Sequence, residues 1–366
     1  MSDALTVRVD SMGDRSAHRA LVARVLRIAP TAWDGVLDAY HAQIDAHATI
    51  DARLAALGEL MGTHFPDAPA IAGALAVAPC PSCGERRVRA RYHRNAAAPS
   101  GVMTPYTYGV CEGCGHATLL EGAADSAVYA SPAYYQAQGG DGVGYPAYEG
   151  ERTYREAKGD RLVQWAIGHA PEPPSAILEV GSGFGFTRRA AERLGLRTSG
   201  VDLNPAAAAA ARRLYGMETF VGTLADAIAA DAVRPGTQDL VVYDFVLEHL
   251  AAPVEELVLA SRLLSPRGAL IVRVPGIEAI ELASFGSLYR SFRSDHLHVF
   301  SRASLERMLD RAGLALTAFD TGCGADLLRE ILDEPELRAA YTAGRGPDIT
   351  ACAIRRDHAN SPRHHT

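Results

Sequence analysis

Apolar and polar positions follow two different periods along this chain, and the changes of period mark its parts. In residues 16–29, Leu21, Val25 and Ile28 share one helical face until Pro30 stops the run. Trp33, Val36, Leu37, Tyr40 and Ile44 then recur every three or four positions, which predicts a second amphipathic helix. Asp51 to Met61 reads as a third, closed by Gly62 and Pro66. Residues 1–75 are thus expected to form a small helical unit, an oligomerisation element or a lid. From residue 171 to 356 the pattern is different. Short apolar runs at 176–180, 197–202, 220–224, 239–244, 268–275, 314–319 and 349–354 are separated by helical stretches. Seven strands alternating with helices predict an α/β, Rossmann-like, doubly wound sheet.

The first of these strands carries the most informative pattern. Ala176-Ile177-Leu178-Glu179-Val180 runs into Gly181-Ser182-Gly183-Phe184-Gly185, and a helical pattern starts at Phe186. Glycines at a strand-to-helix turn let the backbone bend sharply and let a ligand lie against it. The second strand ends in Asp202, 23 residues beyond Glu179, where a carboxylate can accept hydrogen bonds from ribose hydroxyls. Position 186, where a dinucleotide loop wants Gly or Ala, is Phe186, and Glu179 would repel a pyrophosphate. A nucleoside with a cationic amino-acid tail and no phosphate suits the loop better than NAD, and S-adenosylmethionine has that tail.

Composition narrows the class further. The 366 residues hold 36 Lys and Arg against 43 Asp and Glu, a net charge of −7, so polyanion binding is not written in the overall charge. No run of 18 apolar residues suggests a membrane span, and the start lacks the basic-then-apolar shape of a secretory signal. A cytoplasmic location is expected. Four of six cysteines fall in Cys80-Pro81-Ser82-Cys83-Gly84 and Cys111-Glu112-Gly113-Cys114-Gly115, 27 residues apart. Each Cys-x-x-Cys turn aims two thiolates at one point, and two such knuckles make a closed tetrahedral site for structural zinc. Residues 76–125 therefore read as a zinc ribbon. Arg86, Arg87, Arg89, Arg91 and Arg94 lie among aromatics there, which admits nucleic acid as the lesser reading beside one solvated strand face. Cys323 and Cys352 read as buried small residues, and residues 357–366 as a disordered tail.

Residues 126–170 contain Tyr129, Tyr134, Tyr135, Tyr145, Tyr148 and Tyr154 around a glycine-rich stretch, then a helical pattern from Arg152 to Ile167. This is expected to be a linker or a lid over substrate, with Tyr134 and Tyr135 as candidate contacts.

Glu-Val-Gly-Ser-Gly-Phe-Gly at 179–185, Val-Asp-Leu-Asn-Pro at 201–205, Leu-Glu-His-Leu at 247–250 and His-Leu-His-Val-Phe-Ser at 296–301 resemble class I S-adenosylmethionine-dependent methyltransferases. With cysteine knuckles in front, the chain is similar to the zinc-ribbon branch that includes sugar C-methyltransferases of bacterial natural-product pathways. The resemblance implies cofactor contacts from Glu179, Gly181, Ser182, Gly183 and Gly185, ribose contact from Asp202, and an adenine bordered by Leu203, Leu224 and Phe245. It also implies a small-molecule acceptor.

Substrate in such a sheet lies beyond the carboxyl ends of the strands, which points to residues 276–300. Asp295 and His296 are the acid/base candidates, a carboxylate orienting an imidazole, with Arg293 and His298 as substrate contacts. The sugar C-methyltransferases have tyrosine and glutamate where this chain has Arg293 and Asp295. Glu248 and His249 read as loop-fixing. The alternatives to small-molecule methyl transfer are RNA methylation using the ribbon, or a cofactor-bound scaffold without activity.

Overall fold

The computed structural model describes residues 19, 22, 23, 26, 30–42, 49–64, 75–76, 79–94, 97–98, 101–102, 106–123, 125–135, 144–145, 148–322, 328 and 331–359. The helix expected over 16–29, the glycines at 139–143, Cys323 and the tail beyond 359 fall largely or wholly outside them.

Seven strands form the main sheet: β7 (Ala176–Val180), β8 (Arg197–Asp202), β9 (Phe220–Val221), β10 (Gln238–Asp244), β11 (Leu264–Pro275), β13 (Leu314–Gly322) and β14 (Asp348–Arg355). Their order is β13-β14-β11-β10-β7-β8-β9. Pairing is parallel from β9 through β11, and β14 runs antiparallel to both β11 and β13. The fold is therefore the expected Rossmann-like α/β sheet.

Alternation along each central strand explains why helices cover both faces. Leu178, Val241, Tyr243, Leu270 and Val272 point into one core, with α6 (Leu224–Ala229), α7 (Pro253–Leu263) and α9 (Arg302–Arg311). Ile177, Leu240, Val242, Ala269 and Ile271 point into the other, with α3 (Arg152–His169) and α4 (Phe186–Arg193). Strands buried on both sides read as continuous apolar runs, as β7 and β10 do. The chain winds outward from β7 through β8 to β9, then returns to start β10 on the other side of β7. That reversal leaves a crevice beyond the carboxyl ends of β7 and β10.

The cysteine-rich segment folds as an antiparallel sheet of β1 (Leu75–Ala76), β2 (Val88–Arg94), β5 (Tyr106–Cys111) and β6 (Ala117–Glu121). A separate two-stranded ribbon joins β3 (Ala97–Ala98) to β4 (Gly101–Val102). Strand β12 (His298–Val299) adds to the edge of β6, His298 opposite Thr118 and Val299 opposite Ala117. The segment expected to hold the chemistry is thus hydrogen-bonded into the cysteine-rich sheet. Tyr106, Tyr108 and Ala117 share one apolar cluster with Ile277, Tyr289, Phe292 and Val299.

The helices α1 (Pro30–His41) and α2 (Ile50–His64) bury Trp33, Val36, Leu37, Tyr40 and Leu57 against Ile280, Phe285, Leu288 and Leu332. Gly58 lets α2 approach α8 (Ile280–Phe285) closely, since a Cβ there would lie 2.9 Å from the Ala283 carbonyl oxygen. The apolar face of these helices packs within the chain, on the insertion that follows β11 and on the segment after β13.

Candidate active site

The glycine loop follows from the backbone it needs. Gly181, Gly183 and Gly185 have φ of +71°, +50° and +81°, the left-handed region that a Cβ disfavours. Space forbids a side chain as well, since a Cβ on Gly181 would sit 2.4 Å from Val246 Cγ2. The amides of Gly181 and Ser182 donate to the Val201 carbonyl at 2.8 and 3.1 Å. Asp202 braces the turn: its carboxylate accepts from the Gly183 amide at 2.7 Å and from the Asn204 amide at 2.8 Å. Burial raises its pKa and those two amides oppose the shift.

Glu179 and Ser182 are both 4% exposed, and Glu179 Oε2 and Ser182 Oγ have no hydrogen-bond partner. Burial, then the nearby Asp244 charge, push the Glu179 carboxyl up to about 8. An unsatisfied buried carboxylate oxygen beside a bare backbone cradle is what a ligand with a cationic amine would complete. The donor set therefore fits the amino-acid end of S-adenosylmethionine. Asp244 itself is held low, its burial outweighed by Arg273, which it meets through two bonds of 2.6 Å. Phe245, next in the chain, has φ of +58°, a strained conformation for a bulky residue, and carries the Lys158 ammonium 4.1 Å above its ring. Leu203 is exposed beside Asp202. Leu224 is buried with Val201 and Val233, so only Leu203 of that pair offers an accessible side chain.

The tyrosines lie on this loop. Tyr135 and Tyr148 pack against Phe184 with ring centroids at 5.0 and 4.9 Å, and Arg155 stacks 3.9 Å over Tyr148. Tyr134 is buried behind them, against Tyr129 and Tyr145. The Asn204 side-chain Nδ2 donates to the carbonyls of Tyr129 and Ser131 at 2.9 and 2.8 Å, which ties the segment to the end of β8.

On the other side of the crevice the expected Asp295–His296 contact is replaced by a different arrangement. The Asp295 carboxylate is taken by Arg293 through bonds of 2.7 and 2.8 Å, which hold it far below the usual carboxylate range despite burial. His296 gives its Nδ1 proton to the Ser291 carbonyl at 2.9 Å. A carbonyl only accepts, so Nε2 keeps its lone pair. His249 likewise donates from Nδ1 to the Asp295 carbonyl at 2.6 Å, with the Tyr129 hydroxyl 3.0 Å away. Burial pushes both imidazoles below their ordinary pKa, His296 the further. Glu248 is fully buried with neither carboxyl oxygen bonded, and burial raises it well above its ordinary value. Ligand atoms of Glu248, His249 and His296 lie within 4.8 Å of one another. Two imidazole lone pairs and a free carboxyl can accept a substrate proton or hold a divalent cation.

His298 is not part of this group. It bonds to His116 Nε2 at 3.1 Å and to the Leu250 carbonyl at 2.9 Å, joining the cysteine-rich sheet to the 247–250 turn. The sequence pattern assigns Glu248 and His249 a loop-fixing role, counts Tyr148 only among the six tyrosines of its segment, and gives Lys158 no role. The Leu-Glu-His motif is the sequence signal for the first two and the run of tyrosines that for Tyr148.

The four cysteines of the knuckles converge as the spacing requires. Cys80 and Cys114 Sγ atoms are 3.7 Å apart and those of Cys83 and Cys111 are 3.5 Å apart, all four within ligand range of one point. Gly84 and Gly115 take φ of +77° and +72° to close the two turns. The set is compatible with zinc. Arg87 and Arg89 of the same sheet both pair with Glu112, so one carboxylate serves both and the trio keeps one net positive charge. No described helix is long and apolar enough to cross a membrane.

Residues 151–318 match the family model described as a methyltransferase domain. This segment is a class I S-adenosylmethionine-dependent methyltransferase domain, preceded in the chain by a four-cysteine cluster. Ubiquinone biosynthesis O-methyltransferase of Burkholderia thailandensis is 27% identical over 152 residues, 41% of this chain and 60% of that protein. The Burkholderia multivorans enzyme of the same name is 32% identical over 107 residues, 28% of this chain and 46% of its own length. The chain thus spans about 60% or less of these relatives. Among solved structures, mitomycin 7-O-methyltransferase MmcR is 18% identical, with 56% of this chain and 54% of that one covered and a TM-score of 0.40. A chain from the complex of the Haloferax volcanii Trm112 activator with a methyltransferase is 19% identical, with 57% and 95% covered and a TM-score of 0.44.

Proposed function

We propose that this protein transfers a methyl group from S-adenosylmethionine to a small-molecule acceptor. The observation that carries the reading is the pairing of a bare glycine cradle with the unsatisfied Glu179 carboxylate and the braced Asp202 at the ends of β7 and β8. When bound, the cofactor supplies an activated methyl group on a sulfonium. The chain's own task is then to position the acceptor, exclude water and remove its proton.

His296 is the candidate base. Its Nε2 lone pair is fixed by the Ser291 carbonyl, and its lowered pKa keeps it neutral near pH 7. His249 lies edge to face with it at a centroid distance of 4.9 Å and offers a second acceptor. Arg293 and Asp295 hold the backbone that orients both rings. Tyr135 and Tyr148, backed by Tyr134, close the opposite wall. The relatives named for ubiquinone biosynthesis are O-methyltransferases, which supports an acceptor of similar kind; carbon and nitrogen acceptors use the same site, carbon requiring the base most. The cysteine cluster holds zinc in this reading. Four thiolates leave no open position, so its role is structural.

Calorimetry with S-adenosylhomocysteine and NAD side by side tests the cofactor. S-adenosylhomocysteine is expected to bind and NAD not to; preference for NAD would reject the proposal. The RNA reading requires strongly salt-dependent RNA binding that is lost when Arg86, Arg87, Arg89 and Arg91 are neutralised.

A further inference from the structure

Arg188 stands in the first turn of α4, directly after the glycine loop, and is 2% exposed. Both features are unfavourable. A cation at a helix N-terminus meets the positive end of the peptide dipoles, and burial strips a guanidinium of water. Two bonds offset part of this cost: Nη1 donates to Thr219 Oγ1 at 2.9 Å and Nη2 to the Glu218 carbonyl at 2.8 Å. Nε has no partner.

The path of this side chain is set by a missing one. Gly200 lies opposite Glu179 in the β7–β8 register. A Cβ on Gly200 would stand 2.5 Å from Arg188 Nη1, 2.9 Å from its Cζ and 2.8 Å from Ser182 Oγ. The guanidinium therefore runs through the gap that Gly200 leaves, under the loop and next to Ser182. Its charge and that of Glu179 attract each other. Arg188 and Ser182 both border the Gly200 gap and Glu179 is opposite it in the register, and each of the three has a buried polar atom without a partner: Arg188 Nε, Ser182 Oγ and Glu179 Oε2.

We infer that Arg188 is a positioning residue of the cofactor cradle. Seated over Gly200, it forms the floor that holds Ser182 and Glu179 for the amino-acid end of S-adenosylmethionine. This rests on the cofactor reading above and extends it to a residue outside the loop motif. Arg188 does not touch the cofactor in this arrangement; it acts through the two side chains above it.

The test compares two ligands that share the adenosine and thioether but differ at the far end. S-adenosylhomocysteine carries the amino-acid tail, and 5′-methylthioadenosine lacks it. Binding of each is measured by calorimetry on wild type, Arg188→Met, Arg188→Lys and Gly200→Ala. Gly200→Ala keeps the arginine and only displaces it, which guards against a variant that fails to fold. Arg188→Met and Gly200→Ala are expected to weaken S-adenosylhomocysteine by about tenfold or more, the scale of a lost hydrogen bond to a charged group. Methylthioadenosine affinity is expected to stay within about twofold, and Arg188→Lys to fall between wild type and Arg188→Met. Without Arg188, the acid-side pH at which S-adenosylhomocysteine reaches half its maximal affinity also moves upward. Equal weakening of both ligands, or of neither, overturns the role. A wild type that binds neither ligand overturns the cofactor reading itself.

Discussion

His249 and His296 meet edge to face with ring centroids 4.9 Å apart, and each spends its Nδ1 proton on a backbone carbonyl. Each imidazole thus keeps its Nε2 lone pair, and the two rings lie beside the unbonded Glu248 carboxyl, with ligand atoms of the three residues within 4.8 Å of one another. Replacing His296 with Ala or Gln is expected to lower methyl transfer on the order of 10²-fold while leaving S-adenosylhomocysteine affinity within about twofold. Turnover near wild type in a folded variant would remove His296 from the mechanism.

The pH profile follows from the direction of the imidazole shifts. A base must be neutral to act, and burial lowers the pKa of both His249 and His296. Activity limited by this base therefore persists below pH 6.5, where an unperturbed histidine would already be protonated. A rate profile whose acidic limb lies at or above pH 6.5 would contradict the assignment.

Glu179 is shifted the other way, so its acid-side limit on cofactor binding lies at higher pH. Its carboxyl is raised to about 8, so lowering the pH through 8 protonates it and removes the charge that faces the cofactor's ammonium. S-adenosylhomocysteine affinity is expected to fall on the acid side of about pH 8 as this charge is lost, and again on the alkaline side as the ligand's own α-ammonium loses its proton. Glu179→Gln should bind more weakly near pH 8 and lose the acid limb while keeping the alkaline one; calorimetry across the range reads both.

Gly181→Ala combines a left-handed backbone with a contact of 2.4 Å to Val246 Cγ2. A loss of about 1–3 kcal/mol in stability is expected, together with loss of cofactor binding. Adding Val246→Ala relieves the clash but not the backbone strain, so the double variant should recover only part of the stability in denaturant titration.

Arg293 and Asp295 form a buried ion pair, with side chains 15% and 1% exposed. Arg293→Met strands the carboxylate and is expected to cost about 3–5 kcal/mol. Arg293→Met with Asp295→Asn removes both charges and should be milder. Equal losses would mean that packing, rather than the unpaired charge, dominates.

Zinc occupancy is tested by elemental analysis of the purified protein, where about one metal per chain is expected. Cys83→Ser and Cys114→Ser should each lower it and reduce the melting temperature by several degrees, since metal binding at such a site is also folding energy. Full stability after chelation would reject a structural metal.

Local pattern carried much of this protein. The strand period, the three glycines and the acidic ends of β7 and β8 are short-range features, and each has a backbone reason that needs no partner from elsewhere. The cysteine knuckles are equally local, because a Cys-x-x-Cys turn aims its own two thiols. What tertiary structure alone decided is who meets whom across distant segments. Asp295 pairs with Arg293 instead of the neighbouring imidazole because two parallel guanidinium bonds are a better use of a buried carboxylate than one histidine contact. His298 turns to His116 because β12 joins the cysteine-rich sheet, a pairing between residues 182 positions apart. Glu248, His249 and His296 converge only once that sheet, the 247–250 turn and the segment before α9 are in place. Arg188 acquires its position only because Gly200, on the neighbouring strand, leaves room for it. Periodicity records which face a residue occupies; it holds no information about which distant residue fills the space opposite.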